Sequence, residues 1–132
     1  MKVSRPFSIR HRLRSFIPAF EGLRILLQTQ HNARIHAVVG VAVLALAGWL
    51  QIGRVKFVLI VCAVVSVWVA EAFNTVCEIV LNGLAARYSV RVKYAKDIAA
   101  AAVLMATAGA VVSGLLLLGP PLWQRVSLLI RP

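Results

Sequence analysis

Acidic residues are nearly missing from this chain. Its 132 residues include four Asp and Glu against fifteen Lys and Arg, a formal net charge of +11. Charged residues of both signs make up only 14%, while hydrophobic residues reach 61%. Soluble domains carry about 25% charged and about 45–50% apolar residues, and one small core has no room for such a surplus. An ordinary cytosolic domain is excluded. Cysteine is scarce as well: Cys62 and Cys77 lie in one apolar stretch. On a helix they stand about 22 Å apart, so they cannot bridge each other and a disulfide scaffold is excluded. The chain also lacks a Walker-type glycine loop, a G-x-S-x-G elbow and any Cys/His metal spacing. What is left is a basic, apolar chain suited to an anionic membrane surface rather than to nucleic acid.

The apolar residues fall into three runs. Ile35 to Ile52 forms a first spanning candidate, short for a bilayer that needs about 20 residues, with Trp49 near its end. A turn at Gly53-Arg54-Val55-Lys56 leads to a second candidate, Phe57 to Leu84. At about 42 Å it exceeds the hydrocarbon core, so one end emerges at a membrane face. A basic loop with Arg87, Arg91, Lys93 and Lys96 precedes a third candidate, Asp97 to Leu118, which Gly119-Pro120-Pro121 closes and Trp123 anchors. Upstream, Phe16, Ile17, Phe20, Leu23, Leu26 and Leu27 recur at near-helical spacing opposite Arg14, Glu21, Arg24 and Gln28. That pattern predicts an amphipathic helix lying in the interface. The basic stretch before it is too long for a secretory signal.

The expected fold is all-α: three transmembrane helices plus an N-terminal interfacial helix, in a single unit over 1–132. Within it, 1–13 is a basic tail, 14–118 the core and 119–132 a C-terminal tail. Lys and Arg number seven before the first span and four between the second and third, against two and two on the other side. The positive-inside rule therefore puts the N-terminus in the cytoplasm and the C-terminus outside, as for a multi-pass protein of the cytoplasmic membrane.

Two of the scarce acids interrupt the second apolar run. Glu71, Asn74, Thr75, Glu78 and Asn82 fall at offsets 0, 3, 4, 7 and 11, one face of a helix. A carboxylate at the bilayer centre costs about 2.5–3.5 kcal/mol on insertion scales, so this stripe must face protein or a wet cleft. Lys96-Asp97 opens the third run at the same membrane edge. Such a stripe has three readings: a hydrogen-bonded seam between subunits, a proton or cation path, or a site for Mg²⁺-assisted phosphoryl transfer to a lipid alcohol.

Two segments carry a resemblance. Glu71-Ala72-Phe73-Asn74-Thr75-Val76-Cys77-Glu78 follows E-A-x-N-[ST]-x-x-E, and Ala95-Lys96-Asp97-Ile98-Ala99-Ala100-Ala101-Ala102-Val103 follows A-K-D-x-x-[AS]-A-A-V. In these, and in Ala19-Phe20-Glu21-Gly22-Leu23 and Asn32-Ala33-Arg34-Ile35-His36, the chain resembles the small prokaryotic diacylglycerol kinases and undecaprenol kinases over residues 14 to 118. The resemblance implies a homotrimer with its active site shared between subunits, taking ATP and a lipid alcohol, with a slight preference for undecaprenol over diacylglycerol. It implies Glu71 as the general base and Glu78 as a carboxylate holding Mg²⁺ against the phosphates. Asn74 and Thr75 match the polar positions between them. Lys96 matches the phosphate contact, Asp97 the position nearer the adenosine, and Tyr88 and Ser89 the loop that meets the nucleotide.

The chain departs from the family pattern at four positions. Gln30 replaces a second metal-binding Glu, and an amide oxygen can ligate Mg²⁺ but brings no charge. Asn82 stands for Asp at the end of the stripe, Pro18 for an aromatic that packs on the nucleotide, and Ser89 for His. A bundle that binds lipid or nucleotide with little or no turnover is the competing reading, and a small cation or proton transporter the third.

Overall fold

The computed structural model describes residues 14–84 and 89–130. Four helices follow in order: α1 (Phe16–Thr29), α2 (His31–Trp49), α3 (Arg54–Leu84) and α4 (Val90–Ile130). The last three are long and apolar enough to cross a membrane. The described residues are all-α, as expected, and the chain reads as an integral membrane protein. α3 packs along α4 most extensively, then against α2, and α1 rests on α2.

α1 is amphipathic and almost wholly uncovered. Phe16, Ile17, Phe20 and Leu23 are exposed, and Leu26 alone is buried. An apolar face without a protein partner suits a helix lying among acyl chains. One extended residue, Gln30 (φ −102°, ψ 121°), separates α1 from α2. Arg34 locks this joint: its Nε donates to the Leu27 carbonyl at 2.8 Å and its terminal nitrogen to the Gln28 carbonyl at 2.5 Å. These are carbonyls that the end of α1 would leave open, and a cation is favoured there by the helix dipole.

The turn between α2 and α3 lies earlier than expected. Ile52 N–H donates to the Ala47 carbonyl and Gln51 N–H to that of Gly48, the two bonds of a Schellman cap. Gln51 holds the left-handed position (φ 52°), where glycine is usual, although Gly53 stands two residues away. Hydrophobic contact explains the choice. Leu50 is buried with Ala47, Ile60 and Leu118, and Ile52 packs on that cluster. α2 thus begins at His31 rather than Ile35, and Arg54–Lys56 form the first turn of α3 rather than a loop.

The third span is also longer than expected. α4 starts at Val90, so Arg91, Lys93 and Lys96 lie on its first turns and not in a loop, and it continues to Ile130. Pro120 and Pro121 do not close it. Each removes one backbone donor, a loss that neighbouring helices can hold in check in membrane proteins. Contacts on both sides of the prolines maintain the axis: Leu117, Leu118 and Leu122 pack on the core cluster, and Arg125 lies over the Trp49 ring at 5.8 Å.

Candidate active site

α3 carries the polar stripe as a descent from buried to open. Glu71 is 1% exposed, Asn74 and Thr75 are buried, Glu78 is half-buried and Asn82 exposed. The Thr75 hydroxyl donates to the Glu71 carbonyl at 3.0 Å, the usual return of a helical threonine to the preceding turn. Asn74 Nδ2 donates to Glu78 Oε1 at 3.3 Å. That bond orients the Glu78 carboxylate and turns the other end of the amide away, leaving Asn74 Oδ1 buried without a partner. Glu71 Oε2 is buried without one as well. Buried polar groups of this kind are uncommon and costly.

Helix packing sets what stands opposite. Gly40 lets α2 approach α3 so closely that a Cβ there would meet Val64 Cγ1 at 3.1 Å. Carried along the antiparallel pair, this contact sets the fully buried Ala33 level with Glu71, and half-buried Gln30 level with Asn74. Along the axis, Gln30 therefore falls about one turn from the level of Glu78. His36 stands a turn further along α2, level with Trp68 and one turn from the level of Glu71.

On α4, Lys96 Nζ donates to Asn82 Oδ1 at 2.5 Å. The structure thus gives Asn82 a role that its sequence position does not reveal, as the partner of the lysine. It does not bring Lys96 to Glu71: eleven residues of α3 separate Glu71 from Asn82, about 16 Å along the axis. Lys96 thus meets the stripe at its open end, the membrane edge where the sequence sets Lys96-Asp97. Asp97 is exposed, and Ser89 is half-buried just before α4, its carbonyl accepting from Lys93 N–H. Tyr88 lies outside the described residues. Sequence reasoning missed Thr107. The Lys96–Asn82 bond and the Ile60–Leu118 packing fit one antiparallel register, which sets Thr107 level with Glu71. With Ser113 it is one of two polar residues between Ile98 and Gly119, which is the signal that marks it.

The donor set suits a hard cation. It offers a carboxylate at Glu78, a free amide oxygen at Asn74 and a second amide at the level of Gln30. Among the described residues no three His, Cys, Asp or Glu side chains converge, so Zn²⁺-type chemistry has no cage. Mg²⁺ asks for less, one or two carboxylates with phosphate oxygens and waters.

Residues 18–118 match the model of the prokaryotic diacylglycerol kinase family, a span that holds the whole stripe, Gln30 and Lys96. The chain belongs to this family. It is also similar to a diacylglycerol kinase of Synechocystis sp., with 38% identity over 109 residues, covering 82% of this chain. It spans 62% of the length of that relative.

Proposed function

We propose that this protein is a lipid kinase that transfers the γ-phosphoryl group of ATP to a lipid alcohol, diacylglycerol or undecaprenol, at the cytoplasmic membrane face. The observation that carries the reading is Glu71 Oε2, a buried carboxylate oxygen with no partner, at the junction of an apolar helix interior and a polar stripe. A general base needs an open lone pair within reach of the proton it takes. Glu71 accepts the proton of the lipid hydroxyl while that oxygen forms a bond to the γ-phosphorus. The bond from phosphorus to the bridging oxygen breaks, and ADP leaves with that electron pair.

Glu78 lies seven residues along the stripe, about 10 Å from Glu71 on the axis, at the depth of a phosphate chain. Glu78 and Asn74 Oδ1, with Gln30, would hold Mg²⁺, which supplies charge neutralisation for the phosphates when bound. Lys96, steadied by Asn82, meets phosphate oxygens, and Asp97 and Ser89 serve the nucleoside. The family resemblance supports a homotrimer with the site shared between subunits. The uneven distribution of Lys and Arg supports a cytoplasmic N-terminus, which puts the stripe's open end where ATP is found.

The test is direct: purified protein in micelles, ATP labelled at the γ position, and each lipid alcohol with and without Mg²⁺. Label in the lipid only with Mg²⁺ supports the reading. A protein that binds ATP and lipid yet transfers nothing would instead be a non-catalytic bundle.

A further inference from the structure

Among the described residues three buried side-chain atoms lack hydrogen-bond partners: Glu71 Oε2, Asn74 Oδ1 and Thr107 Oγ1. The first two have roles in the proposed reaction. Thr107 has none. Its behaviour is unusual for this chain, because Thr75 and Ser66 both return their hydroxyls to the carbonyl four residues earlier, at 3.0 and 2.8 Å. A helical threonine inside an apolar bundle normally satisfies itself that way. Thr107 leaves its hydroxyl open at the level of Glu71.

Thr107 also lines a half-open cavity of about 330 Å³ between α2, α3 and α4 of one chain. That is within the range of small-molecule sites, about 300–1,000 Å³. Its walls are aliphatic, including Val43, Val64, Val67 and Leu115, and its polar groups, His36, Trp68 and Thr107, gather at the end nearest Glu71. The space is therefore apolar along its length with hydrogen-bonding groups at one end. A hydrocarbon chain ending in a hydroxyl has the same polarity profile.

We infer that the lipid alcohol lays its hydrocarbon chain in this cavity, and that Thr107 is a second contact to the reacting hydroxyl, opposite Glu71. This assignment rests on the lipid-kinase reading with Glu71 as base. A hydroxyl has one hydrogen to donate and two lone pairs. It donates to Glu71 Oε2 and accepts from the Thr107 hydroxyl, which leaves the second lone pair free to attack the γ-phosphorus. The O–H bond breaks toward Glu71, the O–P bond forms, and ADP departs. Thr107 keeps its own proton throughout. Its part is to fix the alcohol's rotation, which a single contact to the base does not do.

Steady-state kinetics of the full chain in mixed micelles test this, with labelled ATP, Mg²⁺, a long-chain diacylglycerol, a polyprenol and dihexanoylglycerol. Thr107→Val keeps the shape and removes the hydroxyl. It should lower kcat/KM for the lipid about three- to tenfold, the worth of one uncharged hydrogen bond, with the KM for ATP unchanged. Thr107→Ser should recover most of that loss. Gly114→Leu tests the cavity, since Gly114 lines it and a Cβ there meets nothing within 4 Å. It should cut turnover of the long-chain lipids more than that of dihexanoylglycerol. If the wild type phosphorylates a lipid but Thr107→Val and Gly114→Leu keep its lipid kinetics, this inference is overturned and the kinase reading stands. If the wild type phosphorylates no lipid alcohol, the kinase reading itself falls. Should Thr107→Val lose nucleotide binding, Gly114→Leu alone decides.

Discussion

Glu71 should trade stability for chemistry, and two substitutions separate those effects. Glu71→Gln keeps the shape but takes the proton-accepting oxygen away. General bases contribute about 10²–10⁴-fold, so phosphoryl transfer should fall by that factor while ATP still binds. Glu71→Leu removes the polar group altogether. In the structure the residue is 1% exposed and Oε2 has no partner, so the native protein bears an unmet desolvation cost there. Relieving it is worth about 1–3 kcal/mol, and the leucine variant should unfold at higher temperature than the wild type while transferring no phosphate. Thermal unfolding in detergent, followed by circular dichroism, reads the first quantity, and labelled-ATP transfer in the same micelles the second. The reasoning fails if Glu71→Leu is clearly less stable. Such a loss means the carboxylate is satisfied in the folded protein and serves as a structural anchor rather than an open base.

Gln30→Glu should lower the Mg²⁺ concentration needed for half-maximal activity, because it adds a charged oxygen about one turn along the axis from the level of Glu78; an unchanged Mg²⁺ titration would set Gln30 outside the coordination sphere. Asn82→Ala should free Lys96 and raise the KM for ATP about three- to tenfold with a smaller change in kcat, read from initial rates over an ATP series. Arg34→Ala opens two carbonyls at the end of α1, and limited proteolysis should cut faster around Gln28–Gln30, with stability lower by about 1 kcal/mol. Gln51→Gly relieves a left-handed backbone at the α2–α3 cap and should raise stability by about 0.5–1 kcal/mol, measured as a shift in the thermal midpoint.

The length of α4 shows why local signals mislead about boundaries. Gly119-Pro120-Pro121 reads as a stop, and in an isolated chain the missing donors and ring clashes favour one. Contacts from Leu122 and Arg125 to residues some seventy positions away in sequence keep the helix going. The same holds at Gln51. Local preference points to Gly53 for the left-handed residue, and burial of Leu50 and Ile52 moves it.

The sequence by itself determined the three apolar helices, the amphipathic helix before them and the face shared by Glu71, Asn74, Thr75, Glu78 and Asn82. Those follow from composition and a 3.6-residue period, which operate within one segment. Only the tertiary structure decided the depth of burial along that face, the pairing of Lys96 with Asn82 and the level of Thr107 opposite Glu71. Each of these depends on how far one rod is slid against another. That offset is set by close approaches such as Gly40 on Val64 and by side-chain interlock summed over the whole interface, and no periodicity within a single helix encodes it.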